Sequence, residues 1–451
     1  MRGGLIVGCA LGCFALGGAF GQYPLPVPNP YTVNSQNRPA VPVPGDWQHI
    51  VARISAAQGD VNVRRGETAE LVTATPNFPL VAQDRLQTSS GSRAEVEFDS
   101  ANILRLAPET ELGVTSLEYH RYRLRLQTGT VLYRLLHDFD SQAFIETAAI
   151  TAAIRSPGEY RISAFDDGST RIGVRSGRLE VSGPHGIRQI SSGESVLVRG
   201  GSSVPEFQAN SASPRDQFDE WSKYRDRQIL SSQVYRRLSR DMSGLEDLDQ
   251  HGRWVPSQFG EVWSPGSVPR DWSPYSAGHW ISTGYYGWTW VDDASWGWVP
   301  FHYGRWFWNA GYGWCWWPGT GTASAASWSP ALVGFFGNGS EIGWVPLAPF
   351  ERSGGFHRDT PGVYRNAAIP GAIVTTKYSD FGGRHETQHR SVQAGRGQPP
   401  APPAGGWKHF GDPGGSNSYR QSFADPDERT GWHSFGQAQH QEPEKNDSQH
   451  R

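Results

Sequence analysis

The chain has 451 residues and a formal net charge of −3, with no block of like charge. Charge so near balance offers no electrostatic footprint for nucleic acid. Three cysteines are too few for a disulfide framework.

The N-terminus places Arg2 before an apolar run from Leu5 to Phe20, with small residues at Ala19 and Gly21. The run is about 16 residues, short of the roughly 20 needed to cross a bilayer. Residues 1–21 therefore read as a secretory signal cleaved near Gly21–Gln22. A lipoprotein signal ending at Cys13 is the rival, but its apolar segment is short and Ala10 stands where Leu is usual. No later run is apolar enough to span, so the mature chain is expected to be exported, periplasmic or extracellular. Cys9 and Cys13 leave with the signal. Cys315 then has no partner within the chain and reads as a small buried residue.

The remaining residues, about 430, suit two or three domains. Residues 22–46 are rich in Pro, Asn and Val without periodicity and read as a linker. Residues 47–200 alternate with period two, as in Ala94–Phe98, Ile103–Leu106, Tyr122–Leu126 and Leu179–Val181. Gly- and Pro-bearing turns separate these runs, which predicts an all-β domain of short strands. Arg121, Arg123 and Arg125 fall on one side of such a strand, opposite Tyr122, Leu124 and Leu126, and read as a solvated face.

Residues 213–248 change character. Phe218, Trp221, Tyr224, Ile229, Val234, Leu238 and Met242 recur at roughly helical spacing. Ser213 can cap and Pro214 can open the first turn. The pattern predicts one long connecting helix over 214–241.

Fifteen of the 19 Trp lie between Trp254 and Trp344. Trp254, Trp280 and Trp306 recur every 26 residues, each after Gly-Arg or Gly-His. Trp288 with Trp314, and Trp290 with Trp316, keep the same interval. A fixed period marks a repeated supersecondary unit. We read residues 251–350 as β-hairpin units stacked on one another. Trp263 sits one place off the position that Trp288 and Trp314 imply, which suggests an extra residue or a bulge in the first unit. Residues 385–451 are polar, Gly/Pro/Gln-rich and free of Leu and Ile, and read as a disordered tail.

Several runs carry a resemblance. Asp84-Arg85-Leu86-Gln87-Thr88, Glu95–Phe98 leading to Ile103–Pro108, Leu126–Val131, Ser156–Tyr160 and Val174–Val181 together resemble a FecR-type domain. Ser100-Ala101 stands where that family usually has Gly, and Ser156 where it has Thr. The stretch from Gly244–Asp249 through Gly252-Arg253-Trp254 to Gly343–Leu347 resembles a Trp/Tyr-rich domain of unknown function that often follows a FecR-type domain in exported bacterial proteins. Trp328–Val333 and Gly343–Leu347 resemble its closing hairpin. The FecR protein itself is an inner-membrane anti-sigma regulator. This sequence shows no anti-sigma segment before the domain and no spanning helix after the signal. The resemblance thus implies a binding or sensory module without that signalling role.

An enzyme would need convergent polar groups. Asp292, Asp293 and Glu341 are acids amid the Trp array, and carboxylates beside Trp platforms are the pattern of a carbohydrate-active hydrolase. Adjacent Asp residues in Ser/Gly-rich sequence are more often turn formers. His251, His279 and His302 lie near the repeated Trp but lack metal-ligand spacing, and Arg253 and Arg305 stand where His279 does. Residues 251–350 hold Arg253, Arg270 and Arg305 against five acids, which excludes a nucleic-acid groove there. An aromatic core is the plain reading of the array, but so many rings cannot all be interior. Trp254, Trp280, Trp288, Trp306 and Trp314 are the candidates to stack on a ligand, with glycan or peptidoglycan the class that suits flat indoles. The expectation is a mainly β, non-enzymatic envelope protein without cofactor or metal, contacting glycan or another envelope protein. The alternative is the hydrolase.

The export reading predicts a mature N-terminus near Gln22, checked by mass spectrometry of the secreted chain. An acylated Cys13, or a retained Met1, would contradict it.

Overall fold

The computed structural model describes residues 50–183, 186–199, 206–210, 214–283, 286–319, 328–337, 341–351, 364–377, 379–382 and 390–392. The expected signal, the linker, Ser213 and all of the expected tail but residues 390–392 lie outside these.

Two sheets enclose one core in the N-terminal half, antiparallel except where Gln142–Glu146 runs parallel to Arg121–Leu135. The first runs, in hydrogen-bonded order, Phe78–Leu80, Ala52–Gln58, Arg93–Glu97, Asn102–Leu106, Arg121–Leu135, Gly158–Ala164, Thr170–Ser176, Ser195–Arg199 and Glu206–Asn210. The second runs Leu71–Thr73, Val61–Arg64, Arg85–Thr88, Thr110–Glu118, Arg121–Leu135, Gln142–Glu146, Thr151–Ile154, Arg178–Gly183 and Gly186–Ser191. The long strand Arg121–Leu135 belongs to both sheets and joins them. Its alternation is as read from the sequence. Tyr122, Leu124 and Leu126 are buried, while Arg121 and Arg123 lie over the Phe144 ring and Arg125 meets Glu146 at 3.1 Å.

Helix α1 (Gln217–Ser231) lies on the outer face of the first sheet. Asp216, not Ser213, is its N-cap: the Asp216 and Asp219 side chains each accept the other's backbone N–H. The helix also ends ten residues before the expected Asp241. At Ser232 the backbone turns extended, and the Asp249 carboxylate accepts Ser232 Oγ and the Gln233 N–H at 2.6 and 2.7 Å. Val234 and Met242 are buried as the periodicity implied, but from turns that pack into the second core. Short helices α2 (Asp247–His251) and α3 (Trp298–His302) follow. Among the described residues, no helix is long and apolar enough to cross a membrane.

The face that α1 buries is polar. Asp219, Ser222 and Asp226 share one stripe of the helix. Asp219 meets Arg161 at 2.9 Å and Arg175 at 3.3 Å; Asp226 meets both Arg105 and Arg134 at 2.6 Å. Arg225 returns the favour to Glu95 at 2.7 Å. Phe218 and Trp221 pack on Ala107 and Leu132 beside these pairs.

Three hairpins make the aromatic region. Gly252–Ser257 pairs with Gly260–Pro265, Gly278–Ser282 with Trp288–Asp292, and Arg305–Asn309 with Gly313–Trp317. Trp254 faces Trp263, Trp280 faces Trp290, and Trp306 faces Trp316. Trp263 is thus the counterpart of Trp290 and Trp316, not of Trp288 and Trp314. The first unit has one residue fewer, not one more: Ser257 pairs with Gly260 across two residues, whereas Asn309 pairs with Gly313 across three. The first and third hairpins join through Trp263 and Trp316 into one four-stranded sheet. A last sheet orders Val333–Gly337, Glu341–Pro346, Ile373–Lys377 and Arg390–Val392. Its final strand falls inside the stretch read as tail, so backbone pairing extends past residue 385.

The Gly two places before the first Trp of each hairpin has a steric reason. A Cβ on Gly252, Gly278 or Gly304 would lie 2.4–2.6 Å from the indole of Trp263, Trp290 or Trp316 respectively. The opposed ring and the carbonyl oxygen of the residue after it, Ser264, Val291 or Trp317, occupy the volume of the missing side chain. Gly252 is in extended backbone, open to any residue, so there the constraint is purely steric.

Gly252→Ala is expected to cost about 1–3 kcal/mol by overpacking. Trp263→Phe in the same chain should recover part of that loss, because the smaller ring frees some of the space. Urea denaturation of the single and double variants checks this; equal costs in both backgrounds would refute the ring's part in the clash.

Candidate functional site

Most of the candidate rings lie in the aromatic core. Trp280, Trp288, Trp306 and Trp314 are buried, between 1% and 7% exposed, and as placed offer no face to a ligand. Trp254 is half-buried, its ring 6.3 Å from Trp316 and under the Arg237 guanidinium. Indole N–H groups of Trp263, Trp306, Trp316 and Trp344 donate to the backbone carbonyls of Leu248, Pro300, Tyr303 and Tyr275 at 2.8–3.1 Å. These bonds hold the rings as structural members.

The exposed ring is one the 26-residue register did not select. Among the described Trp, Trp308 alone is exposed, at 40%. It follows Trp306 by two residues, so it shares a face with it, and it packs edge-on against Trp314 at 5.9 Å. The equivalent places in the other hairpins hold Pro256 and Ser282, both exposed. This position therefore faces solvent in all three units, and only the third puts an indole there. Tyr312, 39% exposed, lies in the turn of the same hairpin, with the Arg253 guanidinium 5.8 Å from its ring. A Trp out of register with its own repeat is the signal that could have found the site.

The acidic candidates are dispersed over different elements. Asp292, at the end of Trp288–Asp292, is buried and accepts Trp290 Nε1 and the Ala294 N–H, both at 3.0 Å. Asp293 beside it is exposed. Glu341 is half-buried at the start of Glu341–Pro346, in register with Lys377. Asp292 as placed is a turn-forming side chain.

The histidines sit in separate contacts. His302 is buried between Trp298 and Trp328, with Nδ1 2.8 Å from the Ser329 carbonyl, and burial lowers its pKa to about 4, leaving it neutral. His251 bonds the Asp247 carbonyl and Ser295 Oγ. Among the described residues, no three His, Cys, Asp or Glu side chains are grouped to hold an ion. Cys315 is buried, and burial pushes its thiol up to about 11.

The two halves meet through a charged junction that the sequence did not reveal. Arg53 is buried; it bonds Glu97 at 3.3 Å, the Ser295 carbonyl at 3.0 Å, and Asp247. Asn77 donates to the carbonyls of Asp292 and Ala294 at 3.2 and 2.7 Å. Glu246 accepts the Tyr235 hydroxyl at 2.5 Å. Burial, then the neighbouring Glu246, raises the Glu97 pKa; burial, then Asp247, raises that of Glu246. Glu95, beside Arg105 and Arg225, is instead held down at about 2 despite its burial.

Residues 84–180 match the FecR protein family, and residues 245–351 match a family of unknown function, DUF6600. The chain carries a FecR domain followed by a DUF6600 domain. The paired sheets are the setting of the first, and the three hairpins with the start of the last sheet lie in the second. Two crystal structures of a provisionally named anti-sigma factor from Parabacteroides distasonis are also similar. One, at 2.50 Å resolution, is 15% identical over 29% of this chain and 60% of its own, with a TM-score of 0.25. The other, at 1.65 Å, is 12% identical over 41% and 99%, with a TM-score of 0.26. This chain thus covers less than two thirds of the first. No curated protein matches.

The buried acids set a pH dependence. Burial pushes Asp292 from its ordinary 3.8 up to about 8, outweighing the two hydrogen bonds it accepts. A carboxyl whose folded pKa is raised binds its proton more tightly folded than unfolded. Its stabilisation is present below the unfolded value and is lost as pH rises through the folded one. Stability is therefore expected to fall between about pH 4 and pH 8, and Asp292→Asn should reduce that slope. Glu97 and Glu246 act in the same direction and leave a residual slope. Thermal melts across this range check it; an unchanged slope in the variant would contradict the assignment.

Proposed function

We propose that this chain is a non-enzymatic module of the bacterial cell envelope, a binding or scaffold unit with a regulatory or sensory FecR domain, and that its DUF6600 domain contacts glycan or peptidoglycan through Trp308 and Tyr312. One observation carries the glycan part. At a solvent-facing position occupied by Pro256 and Ser282 in the sister hairpins, the third hairpin places an exposed indole, and its turn carries an exposed tyrosine. Exposing an indole forfeits the free energy of burying it, and flat aromatic faces stack on the apolar faces of sugar rings. Arg253, over the Tyr312 ring, supplies a hydrogen-bond donor at the rim. The short apolar N-terminal run supports export, and the FecR family supports an envelope setting and a protein partner. The tethered Asp292 gives the hydrolase reading no added support.

Sedimentation with insoluble peptidoglycan and with chitin tests the proposal. Trp308→Ala and Tyr312→Ala are each expected to weaken retention, together by about tenfold or more, while the melting temperature holds. Trp306→Ala serves as the core control and should cost roughly 3–5 kcal/mol of stability. Wild-type retention by the double variant would end the glycan reading.

A further inference from the structure

The outer face of the first sheet is only partly covered by α1. The helix packs over Leu132, and its N-terminal Asp216 and Asp219 stop at Arg161 and Arg175. Beyond that end the sheet floors an open cleft of about 180 Å³, lined by Thr130, Arg161, Ser163, Phe165, Arg171 and Gly173 among others. Gly173 pairs with Arg161 on one side and Ser195 on the other, and a Cβ placed on it would meet nothing within 4 Å. A glycine mid-strand weakens the strand and often marks a place where something approaches closely.

The charges in this cleft are unevenly matched. Arg161 lies 2.7 Å from Asp216 and 2.9 Å from Asp219, and Arg175 lies 3.3 Å from Asp219. Arg171 has no carboxylate at ion-pair distance among the described residues. Its guanidinium lies 5.3 Å from the centre of the Phe165 ring, and its Nε is buried without a hydrogen-bond partner. The remaining acid, Glu194, is turned to its own loop, accepting the Ser191 N–H at 2.7 Å. A guanidinium without an acid partner is matched by an oxyanion through paired hydrogen bonds to its accessible nitrogens.

We propose that this cleft binds a small organic carboxylate, with Arg171 as the ion-pair partner and Phe165 as the wall against its carbon skeleton. A single unmatched cation calls for a single negative charge, and the half-exposed ring calls for an apolar body attached to it. The volume admits a molecule of benzoate size.

Benzoate is the probe, with benzyl alcohol as its neutral counterpart and inorganic phosphate as an anion without an apolar body. Titration of the full-length protein followed by calorimetry should give saturable benzoate binding and none for benzyl alcohol. Arg171→Gln should weaken it about tenfold or more. Gly173→Val should abolish it by filling the cleft, while the melting temperature holds or rises because Val suits a strand better than Gly. Arg188→Gln, on the strand Gly186–Ser191 with its guanidinium over Phe207, is the control and should bind as wild type. Absence of saturable benzoate binding, or wild-type affinity in either the Arg171 or the Gly173 variant, would overturn the site. Tighter binding of phosphate than of benzoate would overturn its carboxylate character.

Discussion

The two halves of this molecule are held together by charges buried on the outside of a β-sheet. Arg53, Glu95, Glu97 and Arg105 stand on outward positions of the first sheet, yet each is at most 1% exposed. Charges removed from water must be paired and hydrogen-bonded. The sheet supplies part of the pairing, as between Glu95 and Arg105 at 2.6 Å. The rest comes from outside it: Asp226 and Arg225 from α1, Asp247 from α2, and the Ser295 carbonyl from the turn after the second hairpin. The FecR domain and the DUF6600 domain are therefore not strung on a free linker. Removing either side would leave several kcal/mol of uncompensated charge on the other, whereas replacing pairs by apolar residues need not.

The same network explains the shape of α1. A helix lying on an apolar sheet would carry an apolar stripe. This one lies on arginines, so Asp219, Ser222 and Asp226 face inward while Tyr224 and Leu230 face solvent at 53% and 57% exposure. It stops where Asp249 captures Ser232 and Gln233, because beyond that point the chain must turn toward the aromatic core. In that core, glycine and tryptophan are one device: each hairpin removes a side chain on one strand so that an indole from the other can lie across it.

Both proposed surfaces are what this packing leaves over. The hairpins consume their in-register indoles in the core and in bonds to backbone carbonyls, which leaves Trp308 outside. The helix consumes Arg105, Arg134, Arg161 and Arg175, which leaves Arg171. Trp308 stays exposed where the in-register indoles are covered, and Arg171 has no carboxylate at ion-pair distance among the described residues. That asymmetry distinguishes a surface available for ligand from a structural arrangement.

The sequence by itself determined what rests on local period and chemistry. Alternation fixed which side of Arg121–Leu135 faces the core, and the 26-residue interval placed Trp254, Trp280 and Trp306 on equivalent strands, because both follow from the two-residue repeat of a strand and the length of a hairpin. Tertiary structure alone decided which of those rings are buried, since the 26-residue period is equally consistent with a ring facing the core or solvent. It also decided that Trp263 answers to Trp290, because cross-strand register depends on loop length. Finally, it decided the partners of Arg53 and Arg171. A charged residue on an outward strand position reads as solvated until something far along the chain covers it, and here Asp247 lies 194 residues beyond Arg53.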